Sequence, residues 1–205
     1  MNGTSVRRAL LGSVAIATLA LSAACGGDDM AGMDHGAGTA TGASSAPASS
    51  ATFNDADVQF AQMMIVHHQE ALDMAAMAET KATDPEVKKI AGEIKNAQDP
   101  EIKTMTGWLT SWGQPTSMPS GHNMEGMSSM PGSMSEEDMT KLEAATGAEF
   151  DREFTRMMIE HHKGAIEMAQ QQTAGTNPDA KALAATIEKA QTAEVATLQK
   201  ILDRL

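Results

Sequence analysis

The sequence predicts an all-α protein, an antiparallel four-helix bundle made of two copies of one helical hairpin. The clearest observation is a repeat, because MMIVHHQEALDMA at residues 63–75 returns as MMIEHHKGAIEMA at residues 157–169, 94 positions later. Around both copies, apolar residues recur every three or four positions, which is the spacing of one helix face. Asp84-Pro85 and Asn177-Pro178 each place a capping residue before a proline, a common start of a helix. Two amphipathic hairpins bury their apolar faces most simply against each other.

Residues 1–24 precede the predicted bundle and have the pattern of an export signal. Arg7 and Arg8 are followed by an apolar run at residues 10–23, which is too short to span a bilayer comfortably. Cys25 is the only cysteine and resembles the lipidated first residue of a bacterial lipoprotein. A cleaved soluble signal with an incidental cysteine is the alternative. We therefore expect an exported lipoprotein, at the outer face of the cytoplasmic membrane or in the periplasm, by either the Sec or the twin-arginine route.

Residues 25–52 consist mainly of Gly, Ala, Ser and Thr, and they predict a flexible tether between the anchor and the folded domain. The bundle is expected at residues 53–205, with the first hairpin at residues 53–112. Pro100 lies inside the predicted second helix. Because proline removes a helical hydrogen bond and clashes with the preceding turn, it predicts a kink or a split there.

A Met-rich linker at residues 113–134 separates the two hairpins. It is rich in Ser, Gly and Pro, and no fixed fold is expected for it without a ligand. The second hairpin is expected at residues 135–205. Ser135 opens a capping box, which predicts a single long third helix that continues past residue 168, and Asn177-Pro178 begins the fourth helix.

The charge of the chain limits its partners. Lys and Arg number 15 against 27 Asp and Glu, which gives a formal net charge of −12 at pH 7. Such an acidic surface repels nucleic acid, so no nucleic-acid partner is expected. Metal ions are the partners that the rest of the sequence favours.

Each repeat places two histidines one helical turn after two methionines, so that imidazole and thioether groups share a face. Thioether and imidazole together suit Cu(I) or Ag(I), whereas zinc and calcium prefer other ligand sets. Copper is therefore the expected ion, with Cu(I) favoured and silver an alternative. Core filling is the competing interpretation of the methionines, but two buried histidines per helix need partners. The pairs are Met63 with His67, Met64 with His68, Met157 with His161 and Met158 with His162.

Further residues are candidates for secondary metal sites. Asp57 and Asp151 each lie 11 residues before the second histidine of a repeat and could hold its other ring nitrogen or bind divalent copper. The methionines of the linker and tether have no core to fill there, so capture of a soft metal is their simplest interpretation. The remaining candidates are Met74, Met168, Met118, His122, Met124, Met127, Met130, Met134, Met30, Met33 and His35.

The duplicated phrase Met-Met-Ile-x-His-His-x-x-Ala-(Leu or Ile)-(Asp or Glu)-Met-Ala resembles the domain of unknown function 305 family. The resemblance covers residues 53–205 and includes both copies of the phrase. It implies a ferritin-like four-helix bundle in exported bacterial proteins, some of which are associated with copper binding and tolerance. By the same resemblance, His67, His68, His161 and His162, with their neighbouring methionines, would face the metal.

Three classes of function remain open from the sequence. The leading one is a binding protein that captures copper or silver for buffering, tolerance or delivery to a copper exporter or a recipient metalloprotein. The second is a ferritin-like metal-dependent oxidase, but that chemistry usually needs Glu-x-x-His pairs, and Met or Ile stands three residues before each histidine of the repeats. The third is a structural helical module. Because no catalytic motif is visible, an enzyme is not expected.

Overall fold

The computed structural model describes residues 52–117 and 130–205, and every regular element in this part of the chain is a helix, which confirms the predicted all-α class. The predicted signal peptide, most of the tether, Cys25 and the tether candidates Met30, Met33 and His35 lie outside the described residues. The elements are α1 (Asp55–Lys81), α2 (Pro85–Ser111), α3 (Glu136–Ala144), α4 (Gly147–Gln171), a 3-10 turn (Gln172–Ala174) and α5 (Pro178–Arg204).

Side-chain caps fix where three of the long helices begin. Asn54 and Asp57 form a reciprocal capping box at the start of α1. The Asp84 carboxylate accepts hydrogen bonds from the first backbone N–H groups of α2, and the Asn177 side chain does the same for α5. In both α2 and α5 a proline follows the cap, at a position where the absent N–H would have had no helical partner.

Pro100 does not split the second helix, so of the predicted kink or split the split is wrong. The helix α2 is continuous over 27 residues, and Pro100 lies inside it. A proline removes a single backbone hydrogen bond, while the apolar face of α2 is buried on both sides of it, from Val87 and Ile94 to Met105 and Leu109. The free energy gained by packing this face exceeds the local free-energy cost of a proline inside the helix.

The predicted long third helix is wrong, because the chain breaks it into α3 and α4. The break is at Ala145 and Thr146, which have extended backbone, and Gly147 follows with φ of +59°. A positive φ is the left-handed conformation that glycine adopts without steric cost. The Thr146-Gly147 pair was the sequence signal for this boundary.

The contacts between helices show how the two hairpins run. In the first hairpin, Glu79 pairs with Lys95 at 2.6 Å and His68 with Glu101 at 2.8 Å, so α1 and α2 run in opposite directions. The helices α4 and α5 also run in opposite directions, because His162 lies against Glu194 and Gln170 donates to Glu188. The helix α1 also packs along α4. At the end of α5, Arg204 returns to the start of α2 and donates to Asp84 at 2.6 and 2.7 Å.

Most of the buried apolar residues form two clusters. Cluster 1 is built around Phe150 and Phe154 and contains Ala71 of α1 and Met158 of α4. Cluster 2 contains Phe60, Met64, Met105, Leu109, Ala165 and Met168. On α1 the chain passes from Met64 in cluster 2 to Ala71 in cluster 1, and on α4 it passes from Met158 in cluster 1 to Ala165 in cluster 2. Both adjacent histidine pairs lie between these positions.

In residues 52–117 and 130–205, no helix combines the length and the hydrophobicity that crossing a bilayer requires.

Candidate metal-binding site

The four histidines of the repeats meet between the two apolar clusters. His67 and His68 lie on α1, His161 and His162 lie on α4, and all four are fully buried at 0% exposure. The rings of His67 and His161 face each other, with centroids 3.7 Å apart and planes inclined by 32°. The structure therefore brings the two copies of the phrase together, with one ring of each repeat against the other.

Two of the rings are held by glutamates within their own hairpins. His68 Nε2 lies 2.8 Å from Glu101 Oε2 of α2, and His162 Nε2 lies 2.7 Å from Glu194 Oε2 of α5. Glu101 and Glu194 are 93 residues apart, which is the offset of the helix starts at Asp84 and Asn177. The two His–Glu pairs are thus equivalent parts of the duplicated hairpin.

The other two rings have less regular surroundings. His67 Nε2 lies 3.2 Å from the carbonyl oxygen of Pro131, in the final stretch of the linker. His161 Nε2 lies 3.5 Å from Glu70 Oε2, a close electrostatic contact that is too long for a good hydrogen bond, and both atoms lack a hydrogen-bond partner among the described residues. Ser133 donates to the second oxygen of Glu70 at 2.7 Å. Residues 130–133 therefore form a strap over this pair of rings.

Within the described residues, the Nδ1 atom of each of the four histidines is buried without a hydrogen-bond partner. Native proteins pair most buried polar atoms, so four equivalent atoms left in this state in one place require an explanation. Gln98 and Gln191, also 93 residues apart, extend the polar layer to α2 and α5. Their amide oxygens are buried and have no partner among the described residues either.

Burial keeps the facing rings neutral. It lowers the pKa of His67 well below its ordinary value of 6.5, and the neighbouring His161, His68 and His162 lower that pKa further. Burial also lowers the pKa of His161, which the nearby Glu70 carboxylate offsets only in part. At neutral pH both rings therefore have a free lone pair, which is the form that binds a metal ion.

These pKa shifts predict that the metal-free protein loses stability in mild acid. His67 and His161 bind a proton less readily in the folded chain than in the unfolded chain, so stability rises with pH in this range and falls as pH drops below 6.5. We expect the free energy of unfolding to fall between pH 7 and pH 5. Chemical denaturation at several pH values measures it. In the variant His67→Gln/His161→Gln the pH dependence should be weaker, and an unchanged profile would contradict the assignment.

The structure places the methionines of the repeats above and below the histidine layer. Met64 is fully buried in cluster 2, and Met63 packs against the same cluster with part of its surface exposed. Met157 and Met158 are buried in cluster 1. Met64, Met157 and Met158 therefore fill the core, as the competing interpretation expected. All four methionines also lie one helical turn from a histidine of their own repeat.

The expected contact of Asp57 and Asp151 with the histidines is corrected by the structure. The Asp57 carboxylate accepts hydrogen bonds from the backbone of Thr176 at 2.9 Å and of Asn177 at 3.1 Å. Asp151 accepts from the backbone of Thr83 at 3.0 Å and of Asp84 at 3.0 Å. Each carboxylate thus caps the loop before the second helix of the other hairpin, so the pair has a structural role.

The remaining candidates are divided between the core and the undescribed part of the linker. Met74 and Met168 are buried in clusters 1 and 2. Met130 is 6% exposed, and Met134 packs against cluster 1, so the end of the linker has a defined position, contrary to the expectation for the whole segment. Met118, His122, Met124 and Met127 lie outside the described residues.

Sequence reasoning missed the acidic partners of the rings. Glu101 and Glu194 follow the buried Gln98 and Gln191 by three residues in each hairpin, so the pattern Gln-x-x-Glu is itself repeated 93 residues apart. Comparing the second helices at this offset would have found it. Glu70 has no such signal, because the equivalent position in the second repeat is Gly164.

No group of three or more His, Cys, Asp or Glu side chains in the described ranges is already arranged to hold a metal ion. A soft cation uses other donors as well, because thioether sulfur is among its preferred ligands. The donor set at the histidine layer, buried imidazole nitrogens with thioethers on adjacent turns, fits such an ion better than zinc or calcium.

Comparison with known proteins matches this chain to a family model and to several solved structures. The family model described as domain of unknown function (DUF305) matches residues 57–202. A DUF305 fragment from Deinococcus radiodurans has a similar structure, with 32% identity, 74% of this chain and 98% of that chain covered, and a TM-score of 0.68. A DUF305 protein from Streptomyces coelicolor, named as a secreted protein, has 31% identity, 73% and 93% coverage and a TM-score of 0.67.

A third similar structure is that of CopM in its Cu(II)-bound form, with 36% identity, 72% of this chain and 96% of that chain covered, and a TM-score of 0.60. CopM is also known in Cu(I)-bound, Ag-bound and apo forms. Comparison with curated proteins gives no match.

Proposed function

This chain belongs to the DUF305 family, and from that premise we propose that it is an exported protein that captures copper or silver ions for buffering, tolerance or delivery. The observation that carries the proposal is the buried layer of four histidines, two from each repeat, whose Nδ1 atoms have no hydrogen-bond partner among the described residues. CopM, which is similar in sequence and structure, binds copper and silver.

The chemistry of the layer supports a soft ion. Neutral imidazoles and thioethers carry no charge that burial must desolvate, and they are the ligands that Cu(I) and Ag(I) prefer. In this proposal His67, His68, His161 and His162 supply nitrogen ligands. The sulfur ligands come from Met63, Met64, Met157 and Met158.

The location of the protein follows from its N-terminal sequence in this proposal. Residues 1–24 direct export, Cys25 is the lipid-anchored residue, and residues 25–52 hold the folded part away from the membrane surface. The methionines of the linker and tether make a second, weaker binding region. A copper exporter or a recipient metalloprotein would then receive the ion.

A competition titration tests the bundle site. Purified protein is titrated with Cu(I), and separately with Ag(I), against a chelator of known affinity. All samples carry Cys25→Ser, because a free thiol would compete for a soft ion. The variant His67→Gln/His68→Gln/His161→Gln/His162→Gln should bind at least 100-fold more weakly at the strongest site, equivalent to about 2.7 kcal/mol.

Circular dichroism shows whether that variant keeps its helices. Binding that remains in the folded variant comes from the methionines of the bundle, linker and tether and from the two remaining histidines. The matched control is His35→Gln/His122→Gln, which removes the two histidines that lie outside the repeats. Equal affinity at the strongest site in the wild type and in the folded four-histidine variant would rule out the bundle site.

A further inference from the structure

In the buried histidine layer, the two nitrogens of a ring have different surroundings. Every Nδ1 atom lacks a hydrogen-bond partner among the described residues, whereas Nε2 of His67, His68 and His162 lies against an oxygen. A backbone carbonyl and an ionised carboxylate can only accept hydrogen bonds. Each of these three Nε2 atoms must therefore carry the proton, which leaves the lone pair of the neutral ring on Nδ1.

On the premise of the proposed function, we propose that the soft ion is bound through Nδ1 of His68 and His162, and that Glu101 and Glu194 are positioning residues that hold each ring in the Nε2–H form. Both glutamates are only partly buried, with 17% and 19% of the side chain exposed, so their charge stays partly hydrated while their inner oxygen fixes the ring. The Pro131 carbonyl of the strap holds His67 in the same tautomer, with the proton on Nε2.

The arrangement also explains why the His–Glu pair is duplicated. Each pair joins the two helices of one hairpin, α1 to α2 and α4 to α5, and turns Nδ1 away from the glutamate. A carboxylate on the far nitrogen of a metal-binding histidine orients the ring and raises its basicity, and its loss typically weakens binding 10–100-fold.

Substitution of the glutamates tests the positioning role. Glu101→Gln and Glu194→Gln preserve the size of the side chain but remove its charge, and the new amide can also donate to Nε2 and so favour the other tautomer. We expect each variant to bind Ag(I) about 10-fold more weakly, and the double variant to lose more. The matched control is Glu93→Gln, the same change at an exposed position of α2.

Long-range 1H–15N NMR spectra of protein labelled at the histidine nitrogens give the decisive measurement. All samples carry Cys25→Ser, and single His→Gln variants assign the signals. In metal-free protein, His68 and His162 should have protonated Nε2 and unprotonated Nδ1. Ag(I) should shift the Nδ1 signals and leave Nε2–H in place, whereas Glu101→Gln should give His68 a mixture of both tautomers. A merely structural glutamate would change stability but not the tautomer.

The possible outcomes separate this proposal from the function on which it rests. Ag(I) binding that shifts Nε2 rather than Nδ1 would overturn the proposal and leave the function intact. Equal Ag(I) affinity of the Glu101→Gln and Glu93→Gln variants would also overturn the proposal and leave the function intact. If Ag(I) shifts no histidine signal and the four-histidine variant binds as tightly as the wild type, the bundle site itself is absent.

Discussion

Replacing Asp57 by alanine should lower the free energy of unfolding by roughly 3 kcal/mol or more, because it leaves two buried and two partly buried donors without an acceptor, each buried one costing about 1–3 kcal/mol. The carboxylate is fully buried and accepts from the backbone N–H groups of Asn54, Thr176 and Asn177 and from the Gln172 side chain. The residue caps its own helix and also fixes the loop that precedes α5 in the other hairpin.

Asp151→Ala should have an effect of similar size at the opposite end of the α1–α4 pair, where the carboxylate accepts from Thr83 and Asp84. The two sites share no partner, so the effects should add in the double variant. Urea denaturation measures all three variants. Asp55→Ala and Glu149→Ala are the controls, because both residues are exposed in the first turn of the same helices and should cost no more than about 1 kcal/mol.

Acid should weaken the contribution of Asp57. Burial alone raises the pKa of this carboxyl, but hydrogen bonds from Thr176, Asn54, Asn177 and Gln172 outweigh it, so the folded-state pKa lies below the ordinary value of 3.8. The stabilisation is therefore fully present above pH 3.8 and is lost as the pH falls below it. The difference in stability between wild type and Asp57→Ala should shrink in that range. A constant difference would show that the charge is unimportant.

Asp57 and Asp151 also show which features of the fold can be predicted from the sequence and which cannot. The helical class, the helix starts at Asp84 and Asn177 and the burial of the four histidines all follow from periodicity and capping, which are local properties. The spacing of Asp57 and Asp151 correctly placed them on the buried face with the histidines. It could not give their partners, because the loops that they cap belong to the other hairpin and only the packing of α1 along α4 brings them together.

The glutamates of the site illustrate a different limit. Glu101 and Glu194 are ordinary polar residues of amphipathic helices, and their contacts with His68 and His162 depend on the rotation of one helix against its neighbour. Only their duplication at the 93-residue offset distinguishes them in the sequence. Thr146-Gly147, in contrast, is a local signal, and the predicted long third helix is wrong because the chain breaks at this pair.

Among the residues that the structure describes, the strap has no counterpart at the first repeat, and Gly164 is the reason that it fits against α4. A Cβ atom at Gly164 would lie 1.9 Å from the carbonyl oxygen of Pro131 and 2.5 Å from the backbone nitrogen of Gly132. Gly132 has φ of +74°, and a Cβ atom there would lie 2.8 Å from the backbone of α4. Backbone therefore packs directly on backbone, and the Pro131 carbonyl reaches His67 as a result.

Gly164→Ala should therefore displace the strap from α4. The substitution favours the helix itself by up to about 1 kcal/mol, but it should also break the contacts of Pro131 with His67 and of Ser133 with Glu70 and expose Met130. We expect a net loss of roughly 1–3 kcal/mol in the free energy of unfolding, as in other cases where an atom is forced into a packed site. Hydrogen exchange and limited proteolysis at residues 130–134 should both become faster.

Gly107→Ala is the matched control, because Gly107 also lies inside a helix but has open space where the Cβ atom would be placed. That variant should be more stable than the wild type by up to about 1 kcal/mol, since alanine is the better helix former. The two substitutions are chemically identical, so opposite signs of the stability change would isolate the strap contact from helix propensity. A stabilised Gly164→Ala protein with unchanged proteolysis at residues 130–134 would mean that the strap does not rest on α4 in solution.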